Sequence, residues 1–316
     1  MNFQTQIPLT KQKHNQISYQ SKLLLLGSCF SENIGNKLDY YKFQSKQNPF
    51  GILFHPKAIE NLIIKALNKE KYTDKDVFFH NERWHSFEAH SSLSAINKNE
   101  LLNSLNLSIQ QTFEQLLNTT HLIITLGTAW VYREITSDTI VANCHKVPQK
   151  KFLKELLSVD EISESLKAIN SLVKSVNKNI SVIYTVSPVR HLKDGFTENQ
   201  RSKAHLLSAI YEVVEPRSAI YYFPSYEIMM DELRDYRFYN EDMIHPNQTA
   251  INYIWEKFKE VWIAEGSYQT MQQVDTIQRG LNHKPFNPNS EAHQLFLKKL
   301  QQKKETLLQA FPFINF

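Results

Sequence analysis

Short apolar runs alternate with amphipathic segments along most of this 316-residue chain. The predicted strands are Lys22–Leu26, Lys42–Gln44, His121–Leu126, Ile180–Val186 and Ser218–Phe223. The clearest predicted helices are 31–40, with Ser31 as N-cap, then 56–69, 197–214 and 247–262, because their apolar residues recur at helical spacing. Strands that alternate with helices favour a parallel sheet covered on both faces. We therefore predict an α/β fold, a three-layer α/β/α sandwich.

Three segments depart from this alternation. Residues 72–94 and 130–150 contain short β-like pieces, which we interpret as β-rich insertions beside a site. After Trp262 the chain is helical and rich in Gln and Lys, with Ala292, Leu295, Phe296 and Leu300 spaced to share one face. We predict a catalytic domain over 1–262 and a C-terminal helical extension, 263–316, packed on or near it.

Charge and composition exclude several classes of protein. Hydrophobic residues make up 41% of the chain, which is typical of a folded globular protein. Lys and Arg number 36 against 32 for Asp and Glu, so the net charge of +4 gives no basic surface for nucleic acid. The first twenty residues are polar and the longest apolar run is Leu23–Leu26, so we expect no signal peptide and no membrane partner. Two cysteines indicate a reducing, cytoplasmic setting without a disulfide framework.

The turn Gly27-Ser28-Cys29-Phe30-Ser31 follows the first strand and precedes a helix. Ligands of open α/β sheets bind at the carboxyl ends of the strands, and a helix N-terminus stabilises negative charge. Ser28 is therefore the preferred nucleophile, the alternative being that it only caps the helix. Cys29 is a rival, because a thiol at a helix N-terminus can be activated. We favour Ser28 and expect Cys29 to pack inward.

A nucleophile needs a base and an orienting residue, and Asp242-x-x-His245 offers both in the loop before the helix at 247–262. This spacing occurs by chance about 0.4 times in a chain of this composition, so the motif alone is weak. The alternative is a surface aspartate beside a capping histidine. Its position after the last predicted strand favours the catalytic reading.

These motifs resemble those of a known superfamily. The positions of Ser28, Gly51, Gly127 and Asp242-x-x-His245 resemble the blocks of the SGNH/GDSL hydrolases. The segments GSCFSENIG, NPFGILFHP, TLGTAWVY, NCHKVP and SPVRH look more narrowly like the GSCFA family, over about residues 21–262. The resemblance implies a flavodoxin-like, five-stranded parallel sheet and an ester or acyl-transfer site without a cofactor. It makes Ser28 the nucleophile, His245 the general base and Asp242 its orienting residue.

The resemblance also implies an oxyanion hole, the set of donors that stabilises the charged intermediate. Its expected backbone donors are the amides of Ser28 and Gly51. The superfamily adds an Asn side chain in its third block, where this chain has Ala129. Asn143, through its amide, and His145, through its ring N–H, are the candidate replacements.

Residues 80–90 contain three His and two Glu, but their spacing does not fit a metal site, so we predict none. We expect a substrate-facing wall of Trp84, His85 and His90, with Trp130 also at the site. Arg190, beside His191 at the end of the fourth strand, is expected to bind an anionic group, the alternative being a solvated basic loop.

Taken together, the sequence predicts a serine-dependent ester hydrolase that forms an acyl-enzyme on a small or carbohydrate ester. An O-acyltransferase with the same triad is the nearest alternative. A non-catalytic binding module on the same fold is a further one, which Ala129 in place of Asn keeps open.

Overall fold

The computed structural model describes residues 5–316, so residues 1–4 of the polar N-terminal segment lie outside it. Its strands are β1 (Lys22–Gly27), β2 (Gln44–Gln47), β3 (Phe78–His80), β4 (Arg83–His85), β5 (His121–Leu126), β6 (Trp130–Glu134), β7 (Thr139–Val141), β8 (Phe152–Leu156), β9 (Ser181–Val186) and β10 (Ile220–Tyr222). Its α-helices are α1 (Cys29–Tyr40), α2 (Pro56–Asn68), α3 (Lys98–Asn118), α4 (Val159–Val176), α5 (Phe196–Val213), α6 (Ser225–Glu227), α7 (Gln248–Trp262), α8 (Tyr268–Leu281) and α9 (Glu291–Ala310).

Within the described residues, five parallel strands form the central sheet in the order β2-β1-β5-β9-β10. This is the order 2-1-3-4-5 of a flavodoxin-like fold, as predicted. The chain order reverses between β1 and β5, where Gly27 pairs with Thr125. Ligands of such sheets bind beside this reversal, at the carboxyl ends of the strands.

The two faces of the sheet are covered by different helices. Leu24 and Leu26 of β1 pack with buried residues of α2, α3, α4 and α5. Leu23 and Leu25 point the opposite way and pack with α1, α7 and α8. Alternate residues of a strand face opposite sides, so a strand covered on both faces is apolar throughout. The predicted three-layer sandwich is confirmed.

Both predicted insertions are β-structure. The strands β3 and β4 form an antiparallel hairpin within 72–94. The second insertion is a three-stranded antiparallel sheet in the order β7-β6-β8. It extends beyond the predicted 130–150, because β8 pairs with β6 at Phe152–Leu156.

The structure corrects some predicted boundaries. The second central strand is Gln44–Gln47 rather than 42–44. Helix α1 begins at Cys29 with Ser28 as its N-cap, so Ser31 is inside the helix. The prediction also named no helix at α3 or α4, although Ser158 and Glu161 form a capping box at the start of α4.

The C-terminal extension packs on the sandwich. Met271, Val274 and Ile277 of α8 and Leu300 and Leu307 of α9 are buried in the core that contains α1 and α7. In residues 5–316, no helix has the length and apolar character needed to cross a bilayer.

Candidate active site

The turn between β1 and α1 is held by hydrogen bonds on both sides. The amide of Gly27 donates to Asn48 Oδ1 at 2.9 Å, and its carbonyl accepts from Leu53 N at 3.0 Å. The amide of Ser28 donates to Thr125 O at 3.0 Å. These bonds fix the start of α1 between the loop that follows β2 and the carboxyl end of β5.

This turn places Ser28 and Cys29 differently. Ser28 has no exposed surface, and its hydroxyl accepts from Phe30 N at 3.3 Å, which caps α1. Cys29 is half-buried and lines a cavity of about 670 Å³ at the carboxyl edge of the sheet. The expectation that Ser28 faces the site and Cys29 packs inward is thus reversed, because the first helical residue, and not its cap, projects into the cavity.

His245 lies on the same cavity as Cys29. Its Nδ1 is 2.6 Å from Asp242 Oδ2, and both side chains are nearly half exposed. Asp242 Oδ1 accepts from the amides of Ile244 and His245 at 2.9 and 3.0 Å. The backbone and side-chain hydrogen bonds from His245 lower the pKa of Asp242 to about 2. The aspartate is therefore ionised at neutral pH, and it orients the imidazole of His245 with Nδ1 toward the carboxylate.

The two backbone groups predicted for an oxyanion hole are already engaged. Ser28 N bonds Thr125 O, and Gly51 N bonds Asn48 O at 2.8 Å. The next residue in each case is different: within residues 5–316 no backbone carbonyl accepts from the amide of Cys29 or of Ile52, and both residues line the cavity. In both cases the predicted donor, Ser28 N or Gly51 N, lies one residue before an amide that has no carbonyl acceptor among the described residues.

Of the two predicted side-chain donors, Asn143 lines the cavity and His145 does not. Asn143 Oδ1 accepts from His145 N at 2.8 Å, and no bond engages its NH₂ group within the described chain. His145 is buried and its Nε2 is 2.7 Å from Ser86 O. Burial lowers its pKa to about 4, so the ring is neutral. Ala129 is fully buried, with its amide bonded to Ser202 Oγ at 2.7 Å.

The wall predicted from Trp84, His85 and His90 does not line this cavity. Trp84 belongs to the β3–β4 hairpin, with its ring 5.4 Å from that of Phe79. His85 is buried, with Nδ1 2.7 Å from Ser94 Oγ. His90 accepts from Ser92 N at 3.3 Å as the N-cap of a short turn. The side chains of all three residues are thus held by contacts within the first insertion.

Trp130 and Arg190 do line the cavity. Trp130 Nε1 donates to Glu198 O at 3.2 Å, and the ammonium of Lys154 lies 4.5 Å from its ring. The Arg190 guanidinium donates to Met243 O at 2.7 Å and stacks on Tyr239 at 4.9 Å. Its contact with Met243, between Asp242 and His245, ties the arginine to the loop that carries the histidine.

Two cysteines share the cavity, in different environments. Burial and the charge of Glu32 raise the pKa of the Cys29 thiol, while the amides of Cys29 and Phe30 and the charge of Lys203 act in the opposite direction. Burial alone raises the pKa of Cys144 to about 11. Both thiols are free. Only Cys29 of this pair has groups around it that stabilise a thiolate.

Two further residues complete the electrostatics of the cavity. Burial, then the charges of Lys203 and His245, lower the pKa of His191 to about 3. Lys203 was missed by the sequence prediction, although it stands three residues before Leu206 and seven before Ile210, on the apolar face of the predicted helix.

In residues 5–316, no group of three or more His, Cys, Asp or Glu side chains is arranged to hold a metal ion.

Comparison with known proteins gives a family match. The model of the GSCFA family matches residues 22–258, and that of the GSCFA domain protein, C-terminal domain, matches 274–316. No curated protein sequence matches the chain. Among solved structures, a carbohydrate esterase family 3 from Talaromyces cellulolyticus is similar at 9% identity and a TM-score of 0.37, over 81% of this chain and 99% of that one.

Proposed function

Because the chain belongs to the GSCFA family, we propose that it is an ester-acting hydrolase that forms an acyl-enzyme on Cys29. His245 is the general base and Asp242 orients it. The observation that carries this proposal is the shared cavity of Cys29 and His245, with Ser28 buried beneath as a helix cap. This proposal keeps His245 as the predicted base and Asp242 as its orienting residue, and it places the nucleophile at Cys29 instead of Ser28.

The reaction has two balanced steps. In the first, the Cys29 thiol passes its proton to His245 as sulfur bonds the acyl carbon, and His245 returns that proton to the departing alcohol oxygen as the C–O bond breaks. In the second, His245 takes a proton from water as the water oxygen attacks the thioester. The C–S bond then breaks, and the sulfur recovers the proton as the carboxylic acid leaves.

The charged intermediate needs donors that are unpaired before substrate arrives. Among the described residues, no backbone carbonyl accepts from the amides of Cys29 and Ile52, and no bond engages the NH₂ group of Asn143. The Cys29 amide bonds only its own thiol, the group that becomes acylated. We assign the oxyanion hole to these three. In this assignment Asn143 remains the candidate for the donor that the superfamily supplies through an Asn side chain, at the position where this chain has Ala129.

The chemistry of the cavity wall supports a small or carbohydrate ester. Trp130, Tyr132 and Phe152 give it aromatic surfaces, and Arg190 gives it a cation. Flat aromatic faces suit the apolar face of a sugar ring, while the cation suits an anionic substituent. An acyl group on this thiol can also pass to a sugar hydroxyl instead of water, which is the O-acyltransferase alternative.

The proposal is tested by incubating the protein with p-nitrophenyl acetate and locating the acyl group by peptide mass spectrometry. We expect an acetyl thioester on Cys29 and p-nitrophenol release that falls at least 1,000-fold in Cys29→Ala, because the nucleophile is lost. His245→Ala should slow acylation by about 100-fold or more, as expected for a general base. A rise in turnover with an added sugar acceptor would identify the transferase.

Cys144→Ala is the matched control, since Cys144 lines the same cavity without the helix N-terminus. It should keep the wild-type rate. Acetylation of Ser28 with loss of activity in Ser28→Ala would restore the serine mechanism. No acylation of the wild-type protein by this or other activated esters would overturn the hydrolase proposal in favour of a binding module.

A further inference from the structure

His145 anchors the loop that carries Asn143 to the first insertion. Its side chain is buried, and its ring lies 4.6 Å from that of His85 and 5.9 Å from that of Phe78. Its Nε2 is 2.7 Å from Ser86 O. A carbonyl oxygen only accepts, so Nε2 carries the proton and donates it. The ring is thus held by packing and by a hydrogen bond, both to residues that do not line the cavity.

The same loop has a backbone conformation that needs support. His145 and Lys146 have φ of +47° and +59°, in the left-handed region that residues other than glycine seldom occupy. Such residues persist only where surrounding contacts hold them. The amides of Ala142 and Asn143 both donate to Phe87 O, at 2.7 and 3.2 Å. The loop is therefore attached to the first insertion at its start by these amides and at its turn by the ring of His145.

His145 also sets the orientation of the Asn143 side-chain amide. The backbone N–H of His145 donates to Asn143 Oδ1 at 2.8 Å. Because the partner is a donor, this bond fixes which end of the amide is oxygen, and the NH₂ end is left without a bond among the described residues. Asn143 lines the cavity, whereas His145 lies behind it. The ring of His145 thus holds the loop, and its backbone amide holds the Asn143 side chain.

We propose that His145 is a positioning residue that holds the Asn143 NH₂ group in place for the charged intermediate. It acts through Asn143 and does not touch the substrate. The inference rests on the oxyanion hole of the proposed function. It gives the first insertion a role in the reaction, although none of residues 72–94 lines the cavity.

The test is a double-mutant cycle with p-nitrophenyl acetate as substrate, using His145→Phe, Asn143→Ala and the double variant. Phenylalanine keeps a ring and removes the donor to Ser86 O. We expect kcat to fall by about 100-fold in Asn143→Ala and by at least about tenfold in His145→Phe, with KM within about threefold of wild type in each. The double variant should match Asn143→Ala, because His145 then has no donor left to position. Additive losses would overturn the inference.

His121→Phe is the matched control. His121 is also buried, and its Nε2 is 2.7 Å from a backbone carbonyl, that of Asn15, at the opposite end of the sheet. This variant should lose stability and keep the wild-type kcat. His145→Gln retains an N–H donor for Ser86 O and should restore kcat to within about fivefold of wild type. A glutamine variant as slow as His145→Phe would contradict the anchoring role of this bond.

Hydrogen exchange tests the position of Asn143 without any ester. In His145→Phe the amides of Ala142 and Asn143 should exchange at least about tenfold faster than in wild type, since their bonds to Phe87 O depend on the same anchor. Faster exchange in a protein without ester turnover overturns only the proposed function. Ester turnover with unchanged exchange overturns only the role of His145.

Nitrogen NMR of the wild-type protein covers the case in which His145→Phe does not fold. The ring of His145 should carry its proton on Nε2, and this proton should exchange slowly because it is buried and bonded to Ser86 O. A proton on Nδ1 instead, or rapid exchange from Nε2, would overturn the proposal.

Discussion

At the scale of single residues, the candidate site depends on a one-residue difference at the start of α1. Ser28 is the extended N-cap and Cys29 is the first helical residue, and of the two only Cys29 lines the cavity. The sequence located the turn but favoured the wrong side chain for the cavity face. Asp242 and His245 were easier to predict as a pair, because a contact between residues three apart is local.

The structure predicts separate roles for the two neighbours Ser28 and Cys29. Ser28→Ala removes the hydroxyl that accepts from Phe30 N. We expect the free energy of unfolding to fall by about 1 kcal/mol, as for other lost helix caps, with ester turnover and Cys29 alkylation within about threefold of wild type. Urea denaturation and the two rate measurements check this.

Ser31→Ala is the matched control for that substitution. Ser31 is buried in the same helix, and its hydroxyl has no hydrogen-bond partner within the described residues. Its loss should cost less stability than the loss of the cap. Equal destabilisation by both substitutions would contradict the capping role of Ser28.

At the scale of elements, the site is built where strands end. β1 ends in Gly27, β5 is followed by Gly127 and β9 by Ser187, and the side chains of the cavity come from the segments beyond these ends and from the β-sheet of the second insertion. Parallel strands bring their carboxyl ends to one edge, so segments far apart in the chain meet there. This convergence could be predicted from the strand order. The individual side chains that reach the cavity could not.

Gly27 is required at the end of β1 for two reasons. Its φ is +133°, which other residues rarely adopt, and a Cβ at this position would overlap the carbonyl oxygen of Thr125. We expect Gly27→Ala to lower the free energy of unfolding by about 2 kcal/mol or more, because relief of the overlap must separate β1 from β5. The same shift should move Cys29 and slow its acylation, which denaturation and ester kinetics together would measure.

Gly266 provides the comparison, because nothing lies within 4 Å of a Cβ placed there. Gly266→Ala should change stability by less than about 1 kcal/mol. If both glycine substitutions had the same small effect, the strain assigned to position 27 would be refuted.

At the scale of the whole molecule, burial of histidines makes the stability of the fold depend on pH. Burial lowers the pKa of His55 and His145 to about 4 and that of His191 to about 3. These residues come from different loops. His55 caps α2, where its Nδ1 accepts from Ala58 N at 3.2 Å and its Nε2 is 3.1 Å from Val141 O.

We expect the protein to lose stability as the pH falls from 7 to 5. An unfolded histidine binds a proton near pH 6.5, whereas the folded ones bind it near pH 4 or 3, so acid favours the unfolded chain in this window. For His55, which is fully buried, the loss is about 2 kcal/mol. Urea denaturation at pH 7 and at pH 5 measures the total loss in the free energy of unfolding.

The variant His55→Asn isolates one contribution, since Asn is also a good N-cap and does not titrate. Between pH 7 and 5, its free energy of unfolding should fall by about 2 kcal/mol less than that of wild type. An identical pH dependence in the two proteins would mean that His55 is protonated equally in the folded and unfolded states.

The sequence by itself determined the five central strands and the helices α1, α2, α5 and α7, since the period of apolar residues depends on which faces are buried. It also determined the Asp242–His245 pair, a contact across three residues. Only the tertiary structure decided that Cys29 faces the cavity, because packing of Phe30, Ile34 and Leu38 against the sheet sets the rotation of α1. It likewise decided that Asn143, Arg190 and His191 share this cavity with Cys29. Contacts between distant segments depend on how all layers pack together, which no local pattern encodes.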